Sequence, residues 1–262
     1  MCGKRKTLVK SHLFPRASYR YFREQGFDPV FMSEDVMRPT QKQIWAHLLC
    51  RECDNIFNEQ GEGWLMPRLA RYLGEFPLYD LVKTTPDVTN DGGSPVHATV
   101  GHPNIRTEKL VHFGVGIFYK SSLHHWLAKP PGPFIHLGKW GEPARKFLRG
   151  EGPFCDDLAL CLTISPPPVR NLCFTLPRYF PRDGFGQFMF YFGGMKFDLL
   201  FGDGLREIKR LCLHASPEKL VLVDSLEKEM EMVIKLGTKN ARRTRKLLDD
   251  AKRRKAMMTR SG

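Results

Sequence analysis

Apolar residues recur with two different spacings along the chain, and the change from one to the other marks out its elements. Leu158, Leu160, Leu162 and Ile164 alternate with Asp157, Ala159, Cys161 and Thr163, the pattern of a half-buried strand. Phe188, Phe190 and Phe192 repeat the alternation, Gly193-Gly194 supplies a turn, and Phe197, Leu199 and Phe201 resume it before Gly202-Asp203-Gly204. This predicts a β-hairpin, and Leu220 to Val223 reads as a further strand. Helical spacing connects Ile56, Phe57, Trp64, Leu65, Leu69 and Leu73. It returns from Glu108 to Trp126, where Leu110, Phe113, Ile117 and Leu123 share a face although Gly114 and Gly116 each cost about 1 kcal/mol in a helix. Pro143 just after Gly141, with Gly150 beyond Leu148, brackets a short helix. Further helices are predicted over 225–236 and 239–256. The start of the chain reads as loop-rich, and Thr84 to Arg106, centred on Asp91-Gly92-Gly93-Ser94-Pro95, as a linker or long surface loop. The fold class is α+β, divided at 1–85, 86–238 and 239–262.

Composition narrows the class. The chain has 262 residues, of which 42% are apolar and 26% charged, enough to bury a sizeable core. No apolar run reaches the roughly 18 residues that span a bilayer, and no secretory h-region follows the basic start, so a cytoplasmic protein without membrane association is expected. Seven cysteines, an odd number in a large chain, argue against a disulfide scaffold and for reduced thiols or metal ligands. Of these, Cys155, Cys161, Cys173 and Cys212 stand singly in apolar or strand contexts and read as core.

The formal charge of +13 is concentrated at the two ends. Lys4, Arg5, Lys6, Lys10, Arg16, Arg20 and Arg23 precede the first acidic residue, and 239–262 holds ten basic residues against Asp249 and Asp250. Such blocks attract polyanions through Coulomb forces and counterion release, which points to nucleic acid, DNA more than RNA. Candidate phosphate contacts are Lys4, Arg5, Lys6, Arg242, Arg243, Arg245, Lys246, Arg253 and Arg254. Too few bulky apolar residues accompany the C-terminal charge for membrane insertion.

The most informative string is Leu48-Leu49-Cys50-Arg51-Glu52-Cys53-Asp54-Asn55. Two thiolates three positions apart at the turn into a helix can face one tetrahedral Zn²⁺. Cys2-Gly3-Lys4 looks like the second half of another such knuckle, since glycine after the cysteine lets the chain turn under a metal. Cys2, Cys50 and Cys53 are therefore the expected zinc ligands. The fourth ligand is open: a cysteine upstream of Met1, the amine of Cys2, or one of His47, His97 and His102.

Cys2-Gly3-Lys4, then Ser11-His12-Leu13-Phe14-Pro15, then Leu48 to Asn55 resemble the order of parts in HNH-type, treble-clef zinc proteins. The longer string through Phe57-Asn58, Gly61-Glu62-x-Trp64 and Gly116-Ile117-Phe118-Tyr119-Lys120-Ser121-Ser122 is similar to a group of bacterial HNH endonuclease-like proteins. The resemblance implies a structural Zn²⁺ and, where the family cuts nucleic acid, a histidine general base beside a second divalent cation such as Mg²⁺. Carried over, His12 is the base and Asp54 or Asn55 the cation ligand from the helix. This chain departs from the pattern at Ser11, where the family often has Asp, at Trp45 in place of a middle Asn, and at Asp54 in place of His. Asp54 with Glu59 or Glu62 would restore an anionic ligand set by converging on His12. The alternative implied is a treble clef that acts only as a folding staple in a binding or regulatory protein.

Overall fold

The computed structural model describes residues 1–24, 30–32, 37–39, 43–71, 74–124, 126, 135–169, 174–182, 184–229, 231–232 and 235. The chain opens with β1 (Leu8–His12) and α1 (Arg16–Glu24), then the short β2 (Val30–Met32) and β3 (Met37–Pro39), then β4 (Trp45–Cys50). The expected loop-rich start is therefore part strand and part helix. Lys10 and His12 on the outer face and the buried Ser11 on the inner one conceal the strand, because neither face is consistently apolar. Directly after β4 come α2 (Arg51–Phe57), a π-helical turn over Asn58–Glu62, and the short α3 (Gly63–Leu65). The helical path ends sooner than its apolar spacing predicts, since Leu69 is already extended.

The rest comprises α4 (Pro77–Lys83), β5 (Asp87–Asp91), β6 (Ser94–Ala98), α5 (Thr107–Leu123), α6 (Gly141–Leu148) and β7 (Leu158–Ile164). It continues through β8 (Phe174–Thr175), β9 (Arg178–Arg182), β10 (Phe185–Phe192), β11 (Met195–Phe201), α7 (Leu205–Ile208) and β12 (Leu220–Val223). The predicted strands and the predicted hairpin are present. The stretch read as a linker is instead the β5–β6 hairpin, turning at Gly92 and Gly93 with φ of +59° and +99°. Its polar outer strand carries no apolar alternation, so periodicity could not reveal it.

Among the described residues the molecule is a mixed α+β fold with two sheets. β1 and β4 form an antiparallel pair, and ten strands form the main sheet in the order β3-β2-β8-β10-β11-β7-β12-β6-β5, with β9 also on β10. α5 lies against this sheet and is buried at every position from Leu110 to Ser121, as expected of a helix with neighbours all round. On its sheet side Phe113 meets Phe192 and Phe197 at 5.1 and 5.6 Å, while Phe118 meets Phe190 at 5.0 Å. On another side Gly116 abuts Phe57 of α2, and Phe113 abuts Gly61 of the π-helical turn. One continuous core thus runs from Leu13 and Phe14 through α5 to the strands as far as Val223. No described helix is long and apolar enough to cross a membrane.

Candidate functional site

The end of β4 runs without a loop into α2, so Cys50 is the N-cap and Cys53 lies one turn inside the helix. Gly3, at a φ of +69°, folds the N-terminus back so that the Cys2 sulfur lies 3.8 Å from that of Cys50. The three sulfurs of Cys2, Cys50 and Cys53 lie within 4.8 Å of one another, close enough to hold one metal ion. The Lys4 backbone N–H draws the Cys2 thiol down to about 7, whereas burial pushes Cys53 up to about 11. A bound cation reverses the second effect, because a coordinated thiol gives up its proton.

Cations surround the trio. Arg149 Nη1 approaches Cys53 Sγ at 3.7 Å, Arg145 Nη1 donates to the Met1 carbonyl at 3.1 Å, and Lys6 forms a 2.9 Å ion pair with Glu52. These cations are themselves paired with carboxylates, Lys6 with Glu52, Arg145 with Glu142 and Glu151, and Arg149 with Glu151, so the shell around the trio is close to neutral. The three histidines considered as fourth ligands lie elsewhere. His47 packs edge-on to Trp45, His97 Nδ1 bonds the Thr85 carbonyl, and His102 Nε2 bonds Thr84 Oγ1. Cys161 and Cys212 lie in the core as expected, packed in one small cluster where their sulfurs meet at 2.8 Å.

A second constellation lies beside the trio. In the β1–β4 pair His12 stands opposite Trp45 and Lys10 opposite His47. Strand alternation sends Ser11 to the other face, where it is fully buried and its Oγ accepts the Leu49 N–H at 3.2 Å. Ser11 therefore braces the hairpin. His12 instead lines a cleft of about 660 Å³ together with Asp54, Asn55, Asn58 and Glu62 on the helical side and Arg16 and Arg20 of α1.

Asp54, Asn58 and Glu62 are spaced four apart. In an α-helix that spacing overshoots a turn, and in a π-helical turn it falls short, so the two drifts cancel along this wall. The five-residue bond from the Gly63 N–H to the Asn58 carbonyl marks the wider turn. The cleft thus gathers His12, Asp54 and Asn55, and it adds Glu62 but not Glu59. These carboxylates do not close into a ready-made triad, because the cysteine trio is the sole tight group of potential ligands among the described residues.

Two residues here, Gln43 and Tyr19, carried no sequence signal, and a third, Lys120, stood in the resembling string without a role. Gln43 Oε1 lies 2.7 Å from His12 Nε2. With the amide oxygen facing the ring, Nε2 donates this bond in the Nε2–H tautomer, which leaves the lone pair on Nδ1. Tyr19, buried on α1, accepts the Ile44 N–H at 3.1 Å and so fixes the backbone next to Gln43. Lys120 of α5, only 2% exposed, donates to the His12 carbonyl at 2.9 Å and to Glu62 Oε1 at 2.8 Å. Its Nζ also sits 4.9 Å from the centre of the Phe57 ring.

Of the predicted nucleic-acid contacts, Lys4, Arg5 and Lys6 are exposed near the cysteine trio. Arg242, Arg243, Arg245, Lys246, Arg253 and Arg254 lie outside the described residues, as do Cys173 and the predicted helix over 239–256. The cleft thus combines a histidine hydrogen-bonded to Gln43, a wall of hard oxygen donors and two arginines. No family model matches this chain, and no curated protein or solved structure matches it either.

Proposed function

We propose that this chain is an HNH-like nuclease that hydrolyses phosphodiesters in the His12 cleft, with a treble-clef-type zinc knuckle as its staple. One observation carries this reading: His12, with its lone pair on Nδ1, shares a cleft with Asp54, Asn55, Asn58 and Glu62 and with two arginines. In the reaction, Nδ1 of His12 takes a proton from water as the water oxygen bonds to phosphorus. The opposite P–O bond breaks, and the leaving oxygen is protonated from solvent. Arg16 and Arg20 hold non-bridging phosphate oxygens, whose charge otherwise repels the nucleophile. The oxygen donors of the helical wall suit a hard divalent cation such as Mg²⁺, held by Asp54 with Asn55 or Asn58, and that cation supplies charge stabilisation to the phosphate.

The three thiolates suit Zn²⁺, a soft-ligand site separate from the hard-oxygen wall. Their role is to tie the N-terminus to the start of α2, which fixes the helix presenting Asp54 and Asn55.

The test is a plasmid-nicking assay with Mg²⁺, Mn²⁺ or Ni²⁺. His12→Ala is expected to lower the rate about 10²- to 10⁴-fold, the contribution typical of a positioned base. Nicking unchanged by the substitution, or absent with every metal, overturns the reading.

A further inference from the structure

We infer that Trp45, with Lys10 beside it, is a stacking platform for an unpaired base, which makes the substrate single-stranded or locally unpaired nucleic acid. The inference rests on the proposed function for the strand that occupies the cleft and goes beyond it in naming the form of that strand.

Trp45 is 43% exposed, whereas the core aromatics of the fold are buried. It takes no part in the main core cluster. The β1–β4 register places it directly opposite His12, so the two Cα atoms are separated by the roughly 4.5 to 5.5 Å of a cross-strand pair. Strand alternation puts Leu8, Lys10 and His12 on the same outer face, with Trp45 and His47 across from them. That face carries no acidic residue. Lys10 Nζ lies 4.5 Å from the indole centre, and the His47 ring meets the indole at 82° with centroids 5.5 Å apart. Lys10 covers one face of the indole, so a base stacks on the opposite face or on the face Lys10 leaves when it turns to the backbone phosphate; such a cation-paired aromatic next to a cleft lined by arginines is the combination that binds single strands. Bases stack on the ring, while cations follow the backbone.

The geometry also discriminates between substrates. In a paired duplex the base faces are already stacked on one another, and only phosphates reach the hairpin. An unpaired nucleotide offers a π-face to Trp45 while its own phosphate reaches the His12 cleft one residue width away. One of the three positions at which this chain departs from the HNH pattern thereby acquires a role.

The test is a binding measurement in buffer without added divalent cation, so that no strand is cut. Fluorescence anisotropy of the full chain would use a labelled oligothymidylate and, separately, a labelled duplex of equal length. Trp45→Ala is expected to weaken binding to the single strand about tenfold and to leave duplex binding within about twofold. Trp45→Phe guards against a folding defect. The intrinsic fluorescence of the unaltered protein should be quenched by oligothymidylate, and that component should be missing in Trp45→Phe. Unchanged single-strand affinity in Trp45→Ala overturns the inference, as does an equal loss on duplex, equal quenching in Trp45→Phe, or no binding to the single strand at all. The nuclease reading is judged separately. A chain that fails to nick but binds single strands through Trp45 loses the hydrolysis and keeps the platform, and an active nuclease indifferent to Trp45 does the reverse.

Discussion

A single amide sets the chemistry of His12. Gln43 Oε1 faces His12 Nε2 at 2.7 Å and accepts from it in the Nε2–H tautomer, which leaves Nδ1 as the basic nitrogen. Replacing Gln43 by Ala frees the ring to adopt either tautomer and to turn, and we expect nicking to slow about tenfold under saturating substrate, with KM little changed. Gln43→Glu acts differently. A carboxylate at that distance favours imidazolium, so the acid limb of the rate–pH profile should move up by about one unit or more. An unmoved limb would show that Gln43 does not touch the base during turnover. Neither Gln43 nor this bond was legible beforehand: the two residues lie 31 positions apart, and a lone glutamine carries no motif. The cysteines were legible because metal ligation demands a short, fixed spacing at a helix start, and that spacing survives in the sequence. Under the proposed zinc staple, atomic absorption on the full chain should find about one zinc per molecule and, in Cys53→Ser, most of it lost.

At the scale of elements, α5 connects the sheet to the hairpin that carries His12. Its glycines read from sequence as a weakness in the helix, yet the structure shows why they are there. A Cβ at Gly114 would come within 2.8 Å of the Phe197 ring, and one at Gly116 within 2.9 Å of Phe57. Phe57 is itself held between Lys120 and His112, so it cannot yield cheaply. Gly116→Ala should therefore destabilise the protein by about 1 kcal/mol in urea unfolding, the overpacking outweighing the gain in helix propensity. A stabilised Gly116→Ala protein would contradict this packing. Lys120→Met removes a buried partner from both Glu62 and the His12 carbonyl. Because Glu62 keeps some solvent contact, we expect a loss of about 2 to 3 kcal/mol, partly restored by Glu62→Gln in the double variant. The apolar periodicity located α5, but it could not show that the lysine in its second half points inward, because charged residues ordinarily mark the wet face.

For the molecule as a whole, acid sensitivity follows from buried imidazoles. Burial pushes His112 and His214 from an ordinary 6.5 down to about 4. In the folded chain both stay neutral to about pH 4, whereas the unfolded chain takes up protons below about 6.5. Stability should therefore be full above pH 6.5 and fall as the pH drops towards 4, with His112 contributing up to about 1.4 kcal/mol per pH unit. Urea midpoints at pH 7, 5.5 and 4.5 check this, and His112→Gln, which can still donate to the Leu148 carbonyl, should flatten the decline. The two sheets were half legible at this scale. β7, β10, β11 and β12 announced themselves through alternating aromatics and aliphatics, while β1, β5 and β6 hid behind polar outer faces and were defined only by the partners they pair with. The bond from Lys120 to the carbonyl of His12 spans 108 positions. During synthesis, residue 12 leaves the ribosome long before residue 120 exists, so a nascent chain halted in between would carry the hairpin without its brace. Under the proposed chemistry, full activity is expected only once α5 has been made, because the lysine that holds both the His12 carbonyl and Glu62 is supplied by that later helix.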